Sequence, residues 1–459
     1  MAKAKKTQTE YVDPVMSVLP DDPVVLEQGQ VILLTEGDPP GGILTLGAGS
    51  SVTLETGSAI EGERDNDTGI LGLGPDSSID IEGAIRLMGD RAVGAAVRDG
   101  EIQLSGSIEM GGDGAYGLVL NAPTASAIIE QGGSISVTGD GAAGVFAVRS
   151  GPVSNAGEIG TSGEYATGLF TGDGPVENSG TIVSTGDGAT GVYAGGATQL
   201  VNSGLIAAEG EALDASFGNE GHAAAVFLNW DGAVVTNSGT IQSAHDAAIV
   251  VDPGAGLDVF GFPPPPADAT NTIINEKGGL ISGVTAIRGS DYSEVVENGG
   301  RIDGDIQLGG GDDTYTAVGN GRTDGVIDGG SGNDVLIADH GQDTLLGGDG
   351  NDWLDGGKSR DYLDGGAGDD VLIGGQGGDT FVFSGGNDII MDFTAADVLA
   401  LEGYSLSDAT IETDGEAITY RWSETDSLTL VDGAVDGSTP ADADPAFHTP
   451  FVADDMWVA

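Results

Sequence analysis

The chain has 459 residues, with 82 glycines, no cysteine and 5% aromatic residues, and its 73 acidic against 15 basic side chains leave a net charge of −58. Glycine without a three-residue period excludes collagen, the lack of cysteine excludes disulfides and thiolate chemistry, and the charge excludes simple attraction to nucleic acid or an anionic membrane surface. Cations are the partners this balance favours. The hydrophobic fraction of 39% supports a core, but one built mainly from Val, Ile, Leu and Ala and thin enough to suit a repeat architecture. No apolar run is long enough to span a bilayer.

Residues 1 to about 30 are polar, contain Pro14, Pro20 and Pro23, and read as a flexible arm. Lys3, Lys5 and Lys6 are not followed by the apolar stretch of a cleavable secretory signal. From about Val31 a repeat sets in. Its phrase is Asn-x-Gly-x-Ile, at Asn155–Ile159, Asn178–Ile182, Asn202–Ile206, Asn237–Ile241 and Asn298–Ile302, with looser versions ending at Ile85, Ile108, Ile135 and Ile281. From Ile85 to Ile206 the isoleucines fall 23, 27, 24, 23 and 24 residues apart. A second phrase, such as Gly141-Ala142-Ala143-Gly144-Val145 and Gly188-Ala189-Thr190-Gly191-Val192, keeps the same period.

That spacing suits one coil of a parallel β-helix with two or three short strands per turn. Each Ile is expected to stack on the Ile of the next coil, and each Asn to sit at a corner in the left-handed conformation with its amide bonded to the Asn above and below. About ten coils at the interstrand spacing would extend roughly 45 to 50 Å. The coils from Ile206 to Ile241 and from Ile241 to Ile281 are too long, by about 211–222 and 253–269. Phe217, Phe260, Phe262 and the run Pro263 to Pro266 fall in these excursions, with His222 at the end of the first and Trp230 just after it, and protruding loops of this kind are where partners bind.

From Gly329 to Val382 six nine-residue units follow one another without insertion: GGSGNDVLI, ADHGQDTLL, GGDGNDWLD, GGKSRDYLD, GGAGDDVLI and GGQGGDTFV. A related loop precedes them, LGGGDDTYT from Leu308 to Thr316, separated by a spacer from Ala317 to Asp328; FSGGNDIIM follows them. Glycine lets a turn carry its carbonyl oxygens close to an ion, Asp adds a hard anionic oxygen, and the apolar residue two places later begins an inward-facing strand. Without ions the stacked Asp residues would stand about 5 Å apart and repel.

This frame resembles the RTX, or haemolysin-type, calcium-binding repeat, and the region before it is similar to the β-helices of autotransporter-like proteins. The resemblance implies an all-β fold. A right-handed parallel β-helix over 31–307 continues into a calcium-binding β-roll over 308–391, and 392–459 supplies a β cap and a type I secretion signal. Strands are expected at Val398 to Leu401, Ala417 to Trp422 and Ser427 to Val431. The closing Asp454-Asp455-Met456-Trp457-Val458-Ala459 is similar to the uncleaved signal of type I secreted proteins.

The resemblance also implies a ligand set. In such rolls an ion sits between two loops of one edge, held by main-chain carbonyls and by the Asp of each loop. One edge carries Gly309, Gly311 and Asp313; Gly329, Gly330, Ser331, Gly332 and Asp334; Gly347, Gly348, Asp349, Gly350 and Asp352; Gly365, Gly366, Ala367, Gly368 and Asp370; and Phe383, Gly385 and Asp388. About four Ca²⁺ ions are expected there. The other edge carries Asp343, Asp361, Gly374, Gln376 and Asp379, but Ala338-Asp339 replaces Gly-Gly, Ser359 replaces a Gly, and Lys358 and Arg360 stand beside it. It is expected to hold no ion, or one or two weakly bound ones.

No catalytic residue is assigned. There is no HExxH and no GxSxG, and the basic residues Arg64, Arg86, Arg91, Arg98, Arg149, Lys277, Arg288 and Arg301 are scattered, with His245 near a long coil. The function expected is a secreted, calcium-stiffened structural or adhesive protein of the cell surface or matrix. Its expected partners are calcium, the type I secretion machinery, and other copies of itself or a matrix polysaccharide; neither nucleic acid nor a membrane span is expected. The alternative is an extracellular polysaccharide lyase or epimerase, which needs Lys, Arg, His or Tyr near carboxylates.

Overall fold

The structure is a computed structural model that describes residues 10–12, 15–18, 23–35, 42–45, 48–213, 223–229, 232–252, 270–414 and 417–432. Among these the only helical element is the single 3₁₀ turn Leu406–Asp408; the rest is strand and turn. Strand pairing among the described residues is parallel except in the last three strands, Thr410–Thr413, Ala417–Arg421 and Ser427–Asp432, which form two antiparallel hairpins in succession. The chain forms two compact units, Met1–Pro266 with Ser282–Val284, and Ala267–Ile281 with Thr285–Ala459.

In the first unit each coil carries three strands. Ala84–Leu87, Val93–Val97 and Gly100–Leu104 make one coil, and Ser107–Met110, Tyr116–Leu120 and Ser126–Ile129 make the next. The isoleucines stack in register: Ile85 on Ile108, then Ile135, Ile159, Ile182, Ile206 and Ile241. All are buried. The recurring second phrase also has a steric reason. A Cβ at Gly144 would stand 2.5 Å from the carbonyl oxygen of Gly168 and 2.6 Å from Cγ2 of Ile159, so the strand can pack on the next coil only without a side chain there.

The asparagines do stack, but not as left-handed corner residues. The Asn155 amide donates to Oδ1 of Asn178 at 2.8 Å, Asn178 to Asn202 at 2.7 Å, and Asn202 to Asn237 at 2.8 Å. Each closes a strand, is buried, and has ordinary negative φ. The positive φ instead falls on the second phrase, at Arg91, Gly114, Gly141, Tyr165 and Gly188, with φ between 54° and 63°. A buried amide ladder satisfies polar atoms that would otherwise be costly inside, which makes it a core element.

One column was not expected. Phe146, Phe170, Tyr193 and Phe227 pair in register, with ring centroids 4.9, 5.3 and 5.1 Å apart. Their faces cover one another.

The expected arm is corrected by strands that begin at Glu10. Glu10–Val12 pairs with Gln30 to Ile32, Val15–Val18 with the strand Ile43–Thr45, and Val24–Leu26 with Val52 to Leu54. Parallel coils therefore start about twenty residues before Val31. The strands are runs of three or four residues, and Pro23 stands just before the third, where no ladder donor is needed. The excursions 214–222 and 253–269, with Phe217, Phe260, Phe262 and His222, lie outside the described residues, as do Trp230 and the C-terminal 433–459.

The second unit narrows to two strands per coil. Val326–Ser331, Thr344–Asp349, Tyr362–Ala367 and Thr380–Phe383 form one wall, and Val335–Ile337, Trp353–Asp355 and Val371–Ile373 the other. Ile327, Leu345, Leu363 and Phe381 stack inward from the first wall, and Leu336, Leu354 and Leu372 from the second, all fully buried. The stretch Ala317 to Asp328 is not a spacer. Arg322–Asp324 and Val326–Ser331 pair with Arg301–Gly310 and complete a coil. The expected capping strands are present: Ala417–Arg421 and Ser427–Asp432 form an antiparallel hairpin, and the latter pairs with Asn387–Phe393.

Candidate metal centre

Each turn of the roll passes through two hairpin loops, one on each edge, and an Asp holds the same place in every loop. On the first edge the main-chain N–H of Asp313 donates to Oδ1 of Asp334 at 2.8 Å. Asp334 donates to Asp352 at 2.8 Å, Asp352 to Asp370 at 2.9 Å and Asp370 to Asp388 at 3.1 Å. On the second edge Asp343 donates to Asp361 at 2.8 Å and Asp361 to Asp379 at 2.9 Å. The carboxylates are at most 5% exposed.

Only one oxygen of each is used by the ladder. Oδ2 of Asp313, Asp334, Asp352 and Asp370, and of Asp343 and Asp361, is buried with no hydrogen-bond partner. The glycine frame explains how the carboxylates fit. A Cβ at Gly329, Gly347 or Gly365 would overlap Oδ2 of the Asp in its own loop. The second and fourth places, Gly330 and Gly332, Gly348 and Gly350, Gly366 and Gly368, have φ between 94° and 145° and stack on one another.

Electrostatics makes these columns unstable as bare anions. Burial pushes Asp334, Asp352 and Asp370 up to about 6, against the hydrogen bond from the loop above and with neighbouring aspartates adding to it. Asp313 and Asp388 are pushed up to about 8, again mainly by burial. A buried, unpaired carboxylate oxygen is costly, and a cation between the loops removes that cost. The donors are all oxygens, which selects a hard cation. Among the described residues no three His, Asp or Glu side chains converge on one point, so main-chain carbonyls or water would complete any coordination shell.

The family profile described as the RTX calcium-binding nonapeptide repeat, in four copies, matches residues 321–354, 328–363 and 355–390. Residues 321–390 are an RTX calcium-binding array. Calcium is its ion, and the buried carboxylate columns fit that chemistry. A comparison with curated proteins finds no match.

The RTX array brings the expected ligand residues of each edge into one column. Asp349 and Ala367 also accept, through their carbonyls, the N–H of Gly332 and Gly350 at 2.8 Å each. Phe383 is there through its main chain alone: its ring is buried, stacked on Trp422 with centroids 5.0 Å apart. The degenerate edge of the RTX array departs less from the first than the sequence suggests. Ser359 takes φ 94° in the place of the missing Gly, so the turn is kept at the cost of left-handed strain. Lys358 is engaged outside, 3.0 Å from Nε2 of His340 and 3.5 Å from Asp339. Burial raises Asp343 to about 6 and Asp361 to about 7, although Arg322 lowers the former.

Sequence reasoning missed three features of the array. Asp397 continues the second column, accepting the N–H of Asp379 at 2.8 Å, and it lies at the array's own 18-residue spacing, so the signal was present. Asp392 accepts the N–H of Gly374 at 3.0 Å and of Gly375 at 2.6 Å. An outer ladder runs through Asp312, Asn333, Asn351, Asp369 and Asn387, each carboxylate or amide oxygen taking the N–H one loop on.

Proposed function

We propose that the protein is a secreted structural or adhesive protein of the cell surface or extracellular matrix whose roll folds when it binds calcium outside the cell. The observation that carries this reading is the pair of buried carboxylate columns with unpartnered Oδ2 atoms. Extracellular calcium modules bind at roughly 10⁻⁴ to 10⁻³ M, so cytosolic calcium would leave such a roll unfolded and fit for export through a channel. Outside, ion binding adds directly to folding free energy. Residues 433–459, where a type I signal is expected, would carry the address. Deleting them should abolish export while leaving calcium-dependent folding of the purified chain intact; unchanged export would refute that part. Far-UV circular dichroism should show strand signal lost in chelator and regained in millimolar calcium. A signal indifferent to calcium would refute the whole reading. Electron microscopy with and without calcium tests self-association, for which fibres or sheets are the expected outcome.

One observation favours the alternative reading. Within the second unit an open groove of about 1090 Å³ is lined by Glu276, Lys277, Glu297 and Arg301 together with the turns around Gly299 and Gly319. Two cations beside two carboxylates are the groups a uronate-directed lyase would use. Arg301 is however already paired, 3.1 Å from Asp303 and 2.9 Å from Asp324, as Arg86 in the first unit is paired with Glu61 and Glu109. His245 is exposed. Formation of unsaturated uronate product from acidic polysaccharides, abolished by Lys277→Ala, would favour the enzyme.

A further inference from the structure

The carboxylate columns do not begin where the repeats do. Above Asp313 lies the loop 289–294, Gly-Ser-Asp-Tyr-Ser-Glu, with Glu294 in the aspartate's place. The N–H of Glu294 donates to Oδ1 of Asp313 at 2.6 Å, the bond each Asp of the first edge makes to the loop below. The outer ladder extends too: the N–H of Asp312 donates to Oγ of Ser293 at 3.2 Å. A Cβ at Gly289 would stand 2.9 Å from Oε2 of Glu294, as a Cβ at Gly329 would overlap Oδ2 of Asp334. Ser290 and Tyr292 lie against Gly309 and Gly311 as those glycines lie against Gly330 and Gly332. The loop therefore repeats the array's stacking and the place of its acid, with Ser290 and Tyr292 where the array has its second and fourth glycines and without their positive φ.

Glu294 and Asp313 are both buried, 0% and 1% exposed. Ser290 donates to Glu294 from its hydroxyl at 2.7 Å and its N–H at 3.2 Å, which fixes the longer side chain inside its own loop. Oδ2 of Asp313 has no partner. The charges that act on Asp313 are Glu294, Asp334 and Asp312, all negative. Two adjacent buried carboxylates, one with an idle oxygen, are stabilised as anions by a cation between them.

We propose that loops 289–294 and 308–313, both before the matched repeats, hold a further calcium ion, with Glu294 standing where the array uses Asp. This rests on the reading of the array as a calcium-folded roll. The outer residues Asp291 and Asp312 add negative potential at the mouth but are not needed as ligands. The site ties a coil outside the repeat family to the ion ladder, so calcium orders more of this unit than residues 321–390.

Equilibrium dialysis of the full chain against radioactive calcium tests it, with Glu294→Gln, Glu294→Asp and Asp352→Asn compared to the unaltered protein. Glu294→Gln should bind one ion fewer, and Glu294→Asp should bind as many as the unaltered chain, since Asp is the array's own residue. An unchanged count in Glu294→Gln overturns the inference, and so does an equal loss in both Glu294 variants, because the loss would then not follow the charge. If Asp352→Asn lowers the count while Glu294→Gln does not, the calcium-folded array stands and only the added site falls. If the unaltered chain binds no calcium, both fall.

Discussion

Replacing Asp352 by Asn should change the stability of the roll in opposite directions with and without calcium. Asn keeps an Oδ1 to accept the N–H of Asp334, so the ladder bond at 2.8 Å survives. What changes is the charge. Burial raises the Asp352 carboxyl from its ordinary value near 3.8 to about 6, so the unfolded chain holds the charged form more readily than the folded one. That difference is worth at most about 3 kcal/mol, and nearer half of it once solvent screening is allowed for. The contribution is fully favourable below about pH 4, where both states are protonated, and is lost as pH rises to about 6 and beyond. In chelator at neutral pH, Asp352→Asn should therefore raise stability by about 1 to 3 kcal/mol. In saturating calcium the same substitution removes an anionic ligand and should lower stability by at least as much. Far-UV circular dichroism reads both signs: through urea unfolding in calcium and, in chelator, through the concentration of a folding osmolyte needed to restore the roll's strand signal. The same sign in both conditions would refute the idea that cations neutralise a destabilising buried carboxylate.

Calcium-driven folding should weaken only as pH falls below about 5, where the aspartates of the unfolded chain begin to protonate and must release protons to bind; calorimetric titration from about pH 8 to about pH 4 checks it, and a marked loss already between about pH 8 and 6 contradicts it. Ser359→Gly should stabilise the calcium-loaded roll by about 1 kcal/mol by removing a left-handed serine, seen as a higher melting temperature in calcium. Asn178→Ala should destabilise the first unit by about 2 to 4 kcal/mol, since it takes one acceptor from the Asn155 amide, which keeps its bond to the Thr181 carbonyl, and the Asn178 amide donor from Oδ1 of Asn202, and it should do so equally in calcium and in chelator.

Spacing made much of this legible. The isoleucine period and the 18-residue period of the aspartates survive in the coils because every rung reuses the same inward place, and any drift would misalign a stacked side chain. Where the period is carried by a changed residue or a changed coil length, the reading failed. Glu294 lies 19 residues before Asp313, and Asp313 lies 21 before Asp334, so neither step fits a nine-residue frame, and Glu is not Asp. The N-terminal strands were hidden by prolines between segments of three and four residues. The backbone of the asparagines was misjudged because propensity says only that Asn tolerates a left-handed turn. It does not say that four stacked amides can satisfy one another inside the core. The aromatic column was missed because its members follow the Gly-apolar phrase by one place, where upstream coils carry Val119 and Ala96 instead.

The contrast in core supply explains why calcium belongs to one part of the chain. In the coil that begins at Ser107, the strands send in Ile108 and Met110, Leu118 and Leu120, Ala127 and Ile129. A nonapeptide of the first edge sends in a single leucine, Leu336, Leu354 or Leu372, and orders two left-handed glycines to do it. Glycine loses more conformational freedom on ordering than any other residue, so each nonapeptide forgoes apolar burial and adds entropy cost at once. Its remaining resources are main-chain pairing, whose net gain is small, and the carboxylate columns, which oppose folding until they are neutralised. The roll is thus short of stabilisation by its own composition, and the missing part is the free energy of binding an ion between successive loops. The coils rich in isoleucine and asparagine have no such deficit.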